Sequence, residues 1–156
     1  MTLHLVCDIS GSMSDDGKPF IMRTLVTTVS QWAWYGYGRA EISLWAWASE
    51  ARRIPDWGKE SEFPAELLCC EGIANSAALI QCLGNKLEGK VLLLTDGFWS
   101  LDDRKNLERW KNCLPLDTLR IIKVGADAEP QLKWTGVFSS EEIFAALDSW
   151  LEESTT

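Results

Sequence analysis

A single histidine, His4, in 156 residues removes most of the acid–base and nucleophilic machinery on which a small enzyme could be built. It sits inside an apolar run, distant from any plausible nucleophile, so neither a Ser-His-Asp nor a Cys-His arrangement can be drawn around it and a packed or edge position is its natural place. No Gly-x-x-x-x-Gly-Lys-Ser/Thr occurs, which excludes a P-loop. Basic residues are few, 15 Lys and Arg against 23 Asp and Glu, for a formal net charge of -8. That balance, with no basic stripe, excludes a nucleic-acid partner, because binding phosphate rests on clustered cations that release counterions. Apolar runs of the ~18 residues needed to span a bilayer are missing, so no membrane partner is expected. The N-terminal run lacks a basic leader and ends in a polar motif instead of a small-residue cleavage site, which argues against a signal peptide and for a cytoplasmic protein. The five cysteines, Cys7, Cys69, Cys70, Cys82 and Cys113, are odd in number and show no paired metal-ligand spacing. A disulfide framework is therefore excluded, and Cys7 and Cys82, in apolar patterns, read as small buried hydrophobes in a reducing compartment. Internal repeats and low-complexity tracts are lacking as well.

What is present is enough for a core. Hydrophobic residues make up 46% of the chain, and a domain of this length can hide about 68 to 70 per cent of its unfolded surface. One soluble domain over 1–156 is expected. A short apolar strand, Leu3 to Cys7, is followed by an amphipathic helix opened by Pro19 and carrying Ile21, Met22, Leu25, Val26, Val29, Trp32 and Ala33, with its end near Gly36 or Gly38. Strands are expected at 41–47 and 51–54, a helix at 75–87, a fourth strand at 90–94 and a third helix capped by Ser100 and Asp103. A fifth strand at 118–124, a weaker sixth at 134–138 and a last helix opened by the Ser139-Ser140-Glu141-Glu142 capping box complete the chain. Ile143, Phe144, Leu147, Trp150 and Leu151 fall on one face of that last helix. Alternating strands and helices, with nearly continuous apolar strands, imply an α/β, doubly wound and mostly parallel sheet of about six strands flanked by helices.

In such sheets ligands settle outside the carboxyl ends of strands. Asp8-Ile9-Ser10-Gly11-Ser12 follows directly on the first strand and places a carboxylate and two hydroxyls on alternate residues, where they point the same way. Oxygen donors of this kind suit Mg²⁺ or Mn²⁺, whereas zinc prefers nitrogen and sulfur. Far along the chain, the run Val91-Leu92-Leu93-Leu94 leads straight into Thr95-Asp96-Gly97.

Together these motifs resemble the metal-ion-dependent adhesion site (MIDAS) of von Willebrand factor A domains, whose signature is Asp-x-Ser-x-Ser after the first strand and an Asp, usually in Thr-Asp-Gly, after the fourth. The resemblance covers nearly the whole chain. It implies a Rossmann-like sheet in the order 3-2-1-4-5-6 and a metal held by Asp8, Ser10, Ser12 and Asp96. The serines would ligate directly, the aspartates would act partly through water, and one position would stay open for a partner's Asp or Glu. The third family motif departs. Ala74 stands where a threonine hydroxyl is usual in Glu71-Gly72-Ile73-Ala74-Asn75-Ser76, so Asn75, Ser76 or a water would have to fill the gap.

The function this implies is metal-dependent protein binding without catalysis. Phe98 and Trp99, directly after Asp96-Gly97, are candidate partner anchors, and Asp15, Asp16, Glu71, Asp102 and Asp103 form an acidic rim. Trp45 and Trp47 share a strand face and are assigned to the core. Intracellular relatives of this fold commonly act beside AAA-type ATPases or in bacterial stress and conflict systems, and a compact stand-alone domain is similar to those. Two alternatives are weighed: a structural adaptor of the same fold with a degenerate metal site, and a Mg²⁺-dependent phosphatase of the haloacid-dehalogenase kind. The latter needs a second Asp two residues after Asp8, where Ser10 stands.

Overall fold

A computed structural model describes residues 1–36 and 40–151. Its elements are β1 (Thr2–Asp8), α1 (Lys18–Tyr35), β2 (Glu41–Trp47), β3 (Ala51–Arg53), α2 (Ser76–Leu83), β4 (Lys90–Thr95), α3 (Leu101–Cys113), β5 (Leu119–Lys123), β6 (Val137–Ser139) and α4 (Ile143–Leu147). The six strands form one sheet in the order β3-β2-β1-β4-β5-β6, as the resemblance implies. All neighbours are parallel except β2 and β3, which are joined by a tight turn and run antiparallel.

Two hydrophobic layers sandwich the sheet. Alternation along β1 sends Leu3, Leu5 and Cys7 to one side, where they meet Met22, Leu25, Val26 and Val29 of α1 and Ile143, Leu147 and Trp150 near the C-terminus. The other side buries Val6, Trp47, Leu79, Leu93, Leu107 and Trp110 between the sheet, α2 and α3. Because β1 and β4 are covered on both faces, their residues are apolar almost without interruption until the chain leaves the sheet.

Several local expectations change. The helix expected over 75–87 stops at Leu83, because Gly84 follows at φ 71 and turns the chain out of the helix. The last helix is five residues long and does not present its apolar residues on one face: Phe144 is 58% exposed, while Ile143, Leu147, Trp150 and Leu151 are buried. Ser149, at φ 59, lies between Leu147 and Trp150 and breaks the periodicity. Cys82 is exposed, with its thiol directed at the Ala51 carbonyl, which corrects its assignment to the interior; Cys7 is buried. Gly38, one of two proposed ends for α1, lies outside the described residues, and Gly36 forms the cap by donating its backbone N–H to the Trp32 carbonyl.

Candidate metal centre

Register fixes where the two acidic motifs meet. Cys7 pairs with Leu94 across β1 and β4, so Asp8 comes level with Thr95 and Asp96 lies one residue beyond. Both carboxylates are sealed at the carboxyl end of the sheet, Asp8 with 1% exposure and Asp96 with 0%. Asp8 Oδ1 accepts the Ser10 backbone N–H at 2.9 Å, and its Oδ2 accepts the Thr95 hydroxyl at 2.6 Å. Burial pushes the Asp8 pKa up to about 6, against the pull of hydrogen bonds from Ser10 and Thr95, and the charge of Asp96 adds to the rise. Asp96 Oδ1 accepts the Phe98 backbone N–H at 3.1 Å.

The serines follow Asp8 on the same segment. Beyond β1 the chain enters a single 3-10 turn, Gly11–Ser14, and this brings Ser10 Oγ and Ser12 Oγ to 3.5 Å from one another. Gly11 donates its N–H to the Gly72 carbonyl at 2.8 Å, and Glu71 donates to the Ile9 carbonyl at 3.0 Å, so the 71–75 loop is stitched against the serine turn. Asp8, Ser10, Ser12 and Asp96 are thus gathered at one end of the sheet. Among the described residues no three His, Cys, Asp or Glu are placed to hold a metal, so an ion here would have to rest on serine hydroxyls as much as on carboxylates. The donor set is all oxygen, which fits a hard divalent cation. Cys70 lies nearby, and burial, followed by the charge of Asp8, raises its thiol pKa to about 11.

The third motif contributes no side-chain oxygen. Ala74 is buried against the layer that contains Trp47 and Trp99. Asn75 Oδ1 accepts from the Ala77 N–H at 3.1 Å as the cap of α2, and its Nδ2 donates to the Ser49 carbonyl at 3.3 Å. Ser76 is held by Asp103, whose Oδ1 accepts both its N–H at 2.9 Å and its hydroxyl at 2.6 Å. Asn75 therefore serves helix capping, Ser76 is taken up by Asp103, and Asp103 is a tie between α2 and α3 as well as part of the rim.

The aromatic pair after Asp96 divides. Trp99 has only 9% exposure and packs between Trp47, at 6.2 Å between ring centroids, and Trp134, at 6.1 Å. Its role as a surface anchor is corrected to a core role, because Gly97 at φ 77 turns the chain so that the second aromatic residue points inward. Phe98 remains 42% exposed at the rim. Trp47 is fully buried and Trp45 packs against the same layer.

One member of the site has no counterpart in the motifs. Lys18, the first residue of α1, runs its side chain into the interior, and its ammonium donates to the Ser12 carbonyl at 3.2 Å, to Asp96 Oδ2 at 3.2 Å and to Asp127 Oδ2 at 3.2 Å. Burial works against its charge, yet hydrogen bonds to Asp127 and Asp96 more than offset that and raise its pKa above the ordinary lysine value. A lysine in the first turn of a helix opposes the macrodipole, and that is the sequence signal that could have singled it out.

Neither a protein-family model nor a curated protein matches the chain. Solved structures do. An aerotolerance-related membrane protein from Bacteroides fragilis NCTC 9343, carrying multiple mutations to serines, is similar at a TM-score of 0.62 and 11% identity, over 97% of this chain and 98% of that one. Manganese-loaded Plasmodium vivax TRAP protein is similar at 0.51 and 14%, over 97% and 73%. Proximal thread matrix protein 1 from the mussel byssus, with a zinc-occupied MIDAS motif, is similar at 0.53 and 14%, over 93% of this chain and 44% of that one. At these identities the likeness is one of fold, and the fold is that of von Willebrand factor A domains. Among the described residues no helix is long and apolar enough to cross a membrane.

Proposed function

We propose that the chain is a divalent-metal-dependent protein-binding module that captures an Asp or Glu of a partner protein through Mg²⁺ or Mn²⁺ at Asp8, Ser10, Ser12 and Asp96. The observation that carries this reading is the approach of the Ser10 and Ser12 hydroxyls to 3.5 Å at the strand end where Asp8 and Asp96 are buried. A bound ion of this kind supplies an open coordination position that a partner carboxylate can fill. Further support comes from the metal-loaded state of two proteins of the same fold, one with manganese and one with zinc. Phe98 and Ile73, both exposed on loops beside the site, offer apolar contact around it. The setting that goes with this reading is cytoplasmic, in a multi-protein system with an AAA-type ATPase such as bacterial conflict systems use. Catalysis is not part of it.

Chelator-treated protein is expected to melt at a higher temperature as Mg²⁺ or Mn²⁺ is added, because the folded state alone assembles the site. An Asp8→Ala variant is expected to lose that rise. A specific partner is expected to copurify from native extract with metal and to be released by chelator. No shift at millimolar metal, or an equal shift in Asp8→Ala, contradicts the proposal.

A second reading has its own observation. Buried Ala74 in the threonine position and the Lys18–Asp96 ion pair both favour a structural adaptor whose metal site is degenerate. On that reading the partner binds equally well in chelator.

A further inference from the structure

The ammonium of Lys18 sits at the edge of the candidate metal centre with only 1% exposure, between an aspartate that belongs to the centre and one that does not. Asp96 is fully buried, whereas Asp127 is 48% exposed and lies toward solvent. The three N–H bonds of the ammonium meet the Ser12 carbonyl, Asp96 and Asp127, so all its donors are used and none is left for a partner's carboxylate. Room for this side chain is built into the backbone. Gly125 stands at φ +97, and a Cβ there would come within 2.8 Å of Lys18 Cε and 2.9 Å of Asp127 Oδ1. The Phe98 ring covers the same ammonium, with its centroid 5.4 Å from Nζ.

A positive charge placed here has a cost that must be offset. It stands in the first turn of α1, where the helix dipole repels cations, and it is withdrawn from water. Asp96 offsets that cost while the metal is absent. A divalent ion at the serine hydroxyls needs the same carboxylate and meets a fixed like charge beside it.

We propose that Lys18 is a tethered competitor of the metal: its ammonium neutralises Asp96 in the metal-free protein, and a divalent ion binds only as Lys18 yields Asp96 and transfers its bonds to Asp127. The inference rests on the metal-binding reading above and adds its regulation. Lys18 raises the ion concentration at which the site fills, so partner capture has a threshold, and Asp127 is the outer berth that makes the exchange reversible.

The test is Mn²⁺ titration of the full chain by calorimetry, with melting temperatures recorded in chelator and at saturating metal. Lys18→Gln is expected to bind Mn²⁺ at least about tenfold more tightly than wild type, since a like charge in a poorly screened site is removed. Its melting temperature in chelator is expected to fall, and its metal-induced rise to exceed the wild-type rise. Lys18→Met is the second variant should Lys18→Gln fail to fold. Asp127→Asn is expected to weaken Mn²⁺ binding, and to do so much less in the Lys18→Gln background, where there is no ammonium to rehouse. Equal or weaker binding by both Lys18 variants overturns the inference while leaving the metal site standing. An Asp127→Asn effect of the same size in both backgrounds overturns the latch. Binding by neither the wild type nor the variants overturns the metal reading and this inference together.

Discussion

Asp8 is asked to be both buried and charged. Its carboxylate is held by the Ser10 N–H and the Thr95 hydroxyl, but burial and the neighbouring Asp96 push its pKa up to about 6, so in metal-free protein its charge is a burden. Asp8→Asn keeps the shape and removes that charge. By differential scanning fluorimetry in chelator at neutral pH, this variant is expected to melt at or above the wild-type temperature and to show no rise on addition of Mn²⁺. A metal-free loss of several degrees would mean that the carboxylate is structural. Residue by residue, the donor motif was legible because each of its members follows an apolar run. Lys18 was not, since a search for oxygen ligands passes over a cation. Trp99 was misplaced for a different reason: neighbours in sequence leave a turn in opposite directions, and Phe98 took the outward one.

Between elements, one tight polar join near the site is Asp103. Its carboxylate accepts from Ser76 on α2 and from the Ser100 hydroxyl at 2.6 Å, while its own N–H donates to Ser100 Oγ at 3.1 Å, so the two helix starts share one set of bonds. Burial alone would raise the Asp103 pKa, but the hydrogen bonds from Ser100 and Ser76 bring it below the usual Asp value. The sign follows directly. A carboxyl depressed in the folded state contributes stability above its ordinary pKa of ~3.9 and loses it as pH falls through the folded value. Asp103→Asn is therefore expected to flatten the acid limb of a stability–pH curve below about pH 4, with little effect on its shape near neutrality. Ser100→Ala removes the cap of α3 and is expected to cost about 1 kcal/mol in urea denaturation. Element positions were largely legible from periodicity. Helix lengths were less so, because the positive φ of Gly84 ends α2 and the extended ψ of 127 at Asp148 ends α4, neither of which an apolar pattern reveals.

At the scale of the molecule, the sheet order brings Asp8 and Asp96 together although Thr95, the residue before Asp96, lies 87 positions along the chain from Asp8. Strand order could be anticipated only through family resemblance, since alternating strands and helices allow more than one arrangement of a parallel sheet. The site therefore depends on both core layers. Leu92, fully buried at the centre of β4, anchors the strand that delivers Asp96, and Leu92→Ala is expected to cost about 2–5 kcal/mol in urea denaturation. The same variant is expected to weaken Mn²⁺ binding only to the extent that it unfolds the chain. A large affinity loss in fully folded protein would show that the strand end had moved. The net charge of -8 draws cations toward the molecule in general, so binding alone does not locate an ion. Location is decided most directly by crystals grown with Mn²⁺ and measured at the manganese absorption edge. An anomalous peak is expected at the hydroxyls of Ser10 and Ser12, beside Asp8 and Asp96. Manganese bound only elsewhere, or none at saturating concentration, would contradict it.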